Sequence, residues 1–167
     1  MTVISDSLVT PGSGIRARLG RVRLSQIVAG AAAQPGSWRD LVRYDPARRW
    51  YHRLEITSEY EVWLLSWQPG QGTGFHDHGG SAGAFAVALG ELQEQTVRGR
   101  CDVAVQTVAA GQVRSFGARF VHHVVNNAPE PAVSVHAYSP PLPQMRRYEL
   151  TTAGLRCTGA EPSGPSR

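Results

Sequence analysis

From Trp50 onward the pattern changes to short apolar-rich runs set between polar turn residues, the texture of extended strands. RWYHRLEIT and EYEVWLLSW are rich in β-branched and aromatic side chains, with acidic residues near the turn that joins them. Further strands are predicted at Phe85–Leu89, Leu92–Val97, Val103–Val108, Gln112–Phe116, Phe120–Val125 and Ala132–Tyr138, separated by PGQG, LGE, VRGR, AAG and NNAPEP. Many short strands at this spacing predict a sandwich or barrel. The preceding part reads differently. Residues about 22–33 carry a helical pattern, and Ser37 in GSWRDLV is placed to cap a second short helix. Residues 1–14, polar with Pro11, Gly12 and Gly14, predict a flexible arm, and residues 156–167, ending GAEPSGPSR, a disordered tail. The expected organisation is one domain over 15–155, with helices within about 22–43 and strands over about 48–150.

Composition narrows this picture. The 167 residues suit one domain, and 41% hydrophobic residues can build its core. Eighteen glycines and eleven prolines favour a turn-rich, all-β-dominated chain over a helical bundle. No apolar run reaches the ~18 residues of a membrane span. The opening MTVISDSLVTPGSG lacks the basic-then-apolar order of a signal peptide. Cys101 and Cys157 lie far apart and outside any CxxC pattern, so reduced thiols and a cytoplasmic location are expected. The net charge is +4 and the pI about 9.6. Its densest basic run, Arg16, Arg18, Arg21 and Arg23, has no interleaved aromatic residues on which bases could stack. A solvated basic surface is expected, with no nucleic-acid or membrane partner and a monomeric chain. No dinucleotide or P-loop glycine motif is present.

The chemistry concentrates in GFHDHGGSAGAF, residues 74–85. Residues i and i+2 of a strand share a face, so His76 and His78 can aim two imidazoles at one point while Asp77 faces away. A third ligand must come from His52, His122, His123 or His136. Gly70 precedes His76 by six positions, and Gly90 follows His78 by twelve. Gly111 precedes His122 by eleven, and Asn126 follows four later. This pair of spacings resembles the two motifs of the cupin family. The resemblance implies a small jelly-roll β-barrel with a metal held inside by His76, His78 and His122. Cupins usually add a Glu separated by four intervening residues from the second histidine of the first motif. Here that position is Gly83. Three neutral nitrogens with open positions suit a catalytic metal, and imidazole alone does not choose among Fe, Zn, Cu and Ni.

A narrower resemblance joins AVSVHAYSPP, WQPGQGTGFHDHG and the Tyr-x-Arg of WYHRLEI: over residues 44–150 the chain is similar to the thiol dioxygenases, cysteine dioxygenases in particular. In that family three histidines hold Fe(II). The implied activity adds both atoms of O2 to the sulfur of L-cysteine to give cysteine sulfinate. The metal's remaining positions would take the substrate and O2, and the small residues after His78 would leave them room. The resemblance assigns the substrate carboxylate to Arg53, beside Tyr51, with Arg48 and Arg49 as competitors for that role. It implies a relay of Ser134, His136 and Tyr138, alternate residues on one strand face. Animal members place a cysteine at the position of Gly83 and crosslink it to the strand tyrosine, so Tyr138 is expected to stay a free phenol. Relatives acting on 3-mercaptopropionate carry Gln in place of Arg53, which favours cysteine here. The rival readings are a dioxygenase of another small thiol, a Zn or Mn cupin isomerase, and a non-catalytic cupin that binds metal or ligand.

Overall fold

The computed structural model describes residues 18–162; the arm expected over residues 1–14 lies outside them. Eleven strands follow one helix, α1 (Arg21–Ala32). The central sheet runs β1 (Trp50–Ile56), β2 (Glu61–Trp67), β9 (Ala132–Ser139), β4 (Ala82–Leu89) and β7 (Val113–Phe116), antiparallel throughout. Two three-stranded sheets complete the fold. One is β11 (Gly154–Pro162), β10 (Gln144–Thr151) and β3 (Phe75–His76); the other is β6 (Asp102–Ala109), β5 (Glu91–Arg98) and β8 (His123–Val125). Bridges Gly72–Val125 and His76–His122 tie segments of these two sheets together. The result is a jelly-roll whose strands form three hydrogen-bonded sheets, not one continuous closed one.

Parity explains why β2 and β9 are buried along their whole lengths. Val62 and Leu64 of β2, with Val133, Val135 and Ala137 of β9, meet Leu24 and Val28 of α1. Burying Leu24 and Val28 contributes about 1.5–3 kcal/mol each. The alternate residues Trp63, Leu65 and Trp67 face the interior, where Phe85, Phe116, Leu92, Val108 and Val124 join them. On β9 that inward set is Ser134, His136 and Tyr138. A fully buried central strand therefore turns three polar side chains into the core, and each needs a hydrogen-bond partner.

Three expectations change. The second short helix is instead two 3-10 turns, Pro35–Ser37 and Arg39–Leu41. Ser37 caps nothing, because its hydroxyl donates back to the Gln34 carbonyl (2.8 Å). The strand expected at Phe120–Val125 is confined to His123–Val125. The tail expected from residue 156 is ordered as β11 through Pro162. Its stability comes from the backbone ladder to β10 and from the pairs Arg147–Glu161 (3.1 Å) and Arg156–Glu149 (2.6 Å). None of these requires apolar side chains. Among the described residues no helix is long and apolar enough to cross a membrane, and Cys101 and Cys157 are both free and exposed.

Candidate metal centre and substrate cavity

Two chain segments meet at the bridge between His76 and His122, whose backbones exchange hydrogen bonds of 2.9 and 3.1 Å. This pins the stretch after Gly74 against the start of β8. It gathers one donor atom each from His76, His78 and His122 within 4.8 Å of one another, all three rings buried. His123 points the other way, against the Phe75 ring at 5.7 Å. Asp77 also faces away from the trio. It accepts from the Gly79 backbone (3.0 Å), Arg146 Nε (2.8 Å) and Tyr148 Oη (2.8 Å), which staples the histidine turn to β10. Burial by itself would raise the Asp77 carboxyl, but these donors hold it below its ordinary value.

The partners of the rings decide which nitrogens are available. His76 Nδ1 donates to the Gly74 carbonyl (3.0 Å). His122 Nδ1 donates to Glu94 Oε1 (2.7 Å), and the other Glu94 oxygen accepts from Arg114 Nε (2.7 Å). Both arrangements leave Nε2 free. His78 is stacked between Phe116 (4.5 Å) and Tyr138 (5.2 Å), and neither of its buried ring nitrogens has a hydrogen-bond partner. An orphaned buried polar group costs about 1–3 kcal/mol. A metal ion bound by one of those nitrogens together with the two Nε2 atoms satisfies that nitrogen, so the trio fits a metal. Burial, reinforced by the neighbouring His122, pushes His76 and His78 well below the usual imidazole range and keeps them in the neutral, ligating form.

A carboxylate has no place in this centre. Gly83 on β4 lies opposite Phe116 on one side and Tyr138 on the other. A Cβ there would clash with the Phe116 ring and stand 3.0 Å from the Tyr138 ring.

The open side of the trio faces a cavity of about 190 Å³, walled by His76, His122, His136, Tyr138, Tyr51 and Arg49. That is below the ~300–1,000 Å³ of typical drug-sized sites and suits a molecule of a few heavy atoms. Ser134, His136 and Tyr138 form a line of hydrogen bonds: Ser134 Oγ to His136 Nε2 at 2.8 Å, His136 Nδ1 to Tyr138 Oη at 3.2 Å. Trp67 extends it, its Nε1 donating to Ser134 Oγ at 2.8 Å. Burial pushes His136 well down and the Tyr138 phenol well up, so both stay neutral.

Arg53 is not among the residues walling the cavity. It shares a strand face with Tyr51, but its guanidinium lies over the Trp63 ring (5.3 Å) and 3.9 Å from Glu61. Glu61, the first residue of β2, is itself buried. The arginines in the wall are Arg49, just before β1, and Arg147 of β10. Sequence reasoning also passed over Glu94. Glu94 carried a readable signal: in ELQEQTV it repeats the phase of Leu92, so a charge occupies an inward position.

Comparison with known proteins agrees with this geometry. The cysteine dioxygenase type 1 of Danio rerio is 26% identical over 133 residues, a match that takes in 72% of this chain and 65% of that protein. The chain thus spans less than two thirds of that relative. A Klebsiella pneumoniae protein with a double-stranded β-helix domain superposes with TM-score 0.55 at 21% identity, covering 72% of this chain and 93% of that one. A cupin superfamily protein of Desulfitobacterium hafniense gives TM-score 0.52 at 12% identity, covering 62% and 87%. These likenesses establish the cupin fold. Residues 20–151 match the family description "Cysteine dioxygenase type I", and with most of its length so matched the chain belongs to the cysteine dioxygenase type I family.

Proposed function

We propose that this protein is a ferrous-iron thiol dioxygenase that oxidises L-cysteine to cysteine sulfinate. The observation that carries the reading is the buried, unpartnered His78 beside His76 and His122, in a site where Gly83 leaves no space for a carboxylate. When bound, iron(II) would supply a positive charge that favours the substrate's thiolate form and a redox centre for reaction with O2. Taking a thiol to a sulfinate removes four electrons, and reducing one O2 to two oxide-level oxygens takes four. The sum RSH + O2 → RSO2H therefore balances without any reductant.

The protein's own groups position and protonate. Trp67 donates to Ser134, so the Ser134 hydroxyl is free to donate to His136 Nε2. His136 is held neutral by burial and keeps its one proton on Nδ1, directed at the Tyr138 oxygen. The Tyr138 hydroxyl hydrogen is then left for the cavity, and burial keeps it on the phenol. In this reading Tyr138 donates to the substrate or to oxygen as charge develops there. Trp63, Leu65 and Leu142 give the cavity an apolar side that limits water near the reacting atoms.

The test is oxygen uptake by the iron-loaded chain with L-cysteine, 3-mercaptopropionate and cysteamine, with products identified by mass after labelled O2. Uptake with cysteine and both label atoms in the sulfinate is expected. Uptake with 3-mercaptopropionate alone keeps the reaction and changes the substrate. No uptake with any thiol, with zinc bound instead of iron, overturns the reading in favour of a non-catalytic metal-binding cupin.

A further inference from the structure

We propose that Phe116 is a positioning residue of the metal centre: its ring, seated in the space that Gly83 leaves empty, aims His78 by packing where the other two histidines are aimed by hydrogen bonds. The proposal rests on the metal-binding reading of the trio and adds to it the group that orients one of the three ligands.

The three imidazoles are held in different ways. His76 Nδ1 donates to the Gly74 carbonyl (3.0 Å) and His122 Nδ1 to the Glu94 carboxylate (2.7 Å). Outer partners of this kind fix both the ring's orientation and the nitrogen that carries its proton. His78 has no such partner, for both of its buried nitrogens are without a hydrogen bond. It also lies beyond the end of β3, so no strand ladder braces it. The torsion that turns an imidazole about its Cβ–Cγ bond is broad, and a ring without hydrogen bonds keeps its direction only through its neighbours. Two rings stack on His78: Phe116 at 4.5 Å and 24° between planes, and Tyr138 at 5.2 Å and 27°.

The place of Phe116 is prepared by the sheet. Gly83 on β4 pairs directly with Phe116 on β7 and with Tyr138 on β9. Gly83 is not among the glycines of positive φ, so its backbone does not call for glycine. The space does, because a side chain there would enter the Phe116 ring. Phe116 is 2% exposed and braced by the Phe120 ring, stacked on it at 5.5 Å. It also meets the His122 ring at 4.8 Å, nearly edge to face. One apolar side chain thus touches two of the three ligands, and for His78 it supplies what Gly74 and Glu94 supply for the others.

The experiment is a double-mutant cycle on metal affinity, read by chelator competition with cobalt(II) as an air-stable probe of the site. Phe116→Ala should raise the cobalt Kd by at least about tenfold, the scale of an outer-partner loss. In a His78→Ala background the same change should alter the Kd by less than about threefold, because the ring it aims is gone. Adding Gly83→Leu to Phe116→Ala returns apolar volume from the facing strand and should recover part of the affinity. A change that only loosens the fold would weaken binding equally in both backgrounds, and that result overturns the proposal. So does a Phe116→Ala protein with the wild-type Kd. Should Phe116→Ala fail to fold, Phe116→Leu, which keeps most of the apolar bulk, goes through the same cycle, and equal losses with and without His78 again defeat the proposal. A wild type that binds no cobalt(II) defeats the metal-centre reading and this proposal with it. A metal-binding wild type indifferent to Phe116 defeats this proposal alone.

Discussion

Replacing Glu94 by Gln tests whether the metal site is set from one residue behind its ligands. The Glu94 side chain is 1% exposed and makes two charge-assisted bonds, to His122 Nδ1 and to Arg114 Nε, each 2.7 Å. Glutamine has nearly the same shape but only one acceptor end. With its oxygen toward His122, its NH2 meets Arg114 Nε donor to donor. With its NH2 toward His122, it forces the imidazole proton onto Nε2, the atom left for the metal. Either way a hydrogen bond to a charged group is lost, worth about 1.5–3 kcal/mol. Outer partners of this kind typically change metal affinity by ~10–100-fold, which is roughly 1.4–2.7 kcal/mol. Competition against a calibrated chelator gives the metal Kd, and thermal unfolding of the metal-free protein gives the structural share. The variant should bind metal ~10–100-fold more weakly. A folded variant with lower thermal stability but unchanged metal affinity would refute the argument and reduce Glu94 to a packing residue.

Other consequences follow from the same contacts. Gly83→Ala drives a methyl into the Phe116 ring, which itself stacks on His78; a loss of about 1–3 kcal/mol in unfolding free energy is expected, partly recovered by adding Phe116→Leu. Tyr138→Phe keeps the ring beside His78 and removes only the hydroxyl. Turnover should fall by ~10²-fold or more while bound metal stays constant, and undiminished turnover would rule out a proton-donating Tyr138. His76, His78 and His136 are buried with their pKa values pushed well below 6.5. Over the window from 6.5 down toward those lowered values the unfolded chain binds the extra protons. Stability of the metal-free protein should thus be full above 6.5 and fall as pH drops below it, by about 1.4 kcal/mol per pH unit for each histidine. Denaturant unfolding across pH 5 to 8 reads this, and a flat profile would contradict it.

Much of the architecture could be read from short runs of β-branched and aromatic residues set between turn signals, as in EVWLLSW of β2 and AVSVHAYS of β9. β10 and β11 could not. QMRRYELT has no fully buried residue and GLRCTGAEP is mostly exposed, and their pairing is a backbone ladder that composition does not record. The gathering of His76, His78 and His122 followed from motif spacing. The relay of Ser134, His136 and Tyr138 followed from parity, but its continuation to Trp67 joins residues far apart in sequence. Arg53 shows the limit of parity. Arg49, Tyr51 and Arg53 share a phase, yet alternation specifies which face a residue takes and not how deep along the strand it lies. That depth was decided by Glu61, which engages Arg53, and by Trp67, whose ring supports Arg49.

The central claim is that three imidazoles hold the metal and leave positions for a thiol acid. X-ray absorption of the iron(II)-loaded protein, before and after anaerobic addition of L-cysteine, tests it most directly. The expected result is a first shell whose protein ligands are three imidazole nitrogens, gaining one sulfur neighbour when cysteine is added. A shell containing a protein carboxylate, or one in which no sulfur enters at saturating cysteine, would contradict it.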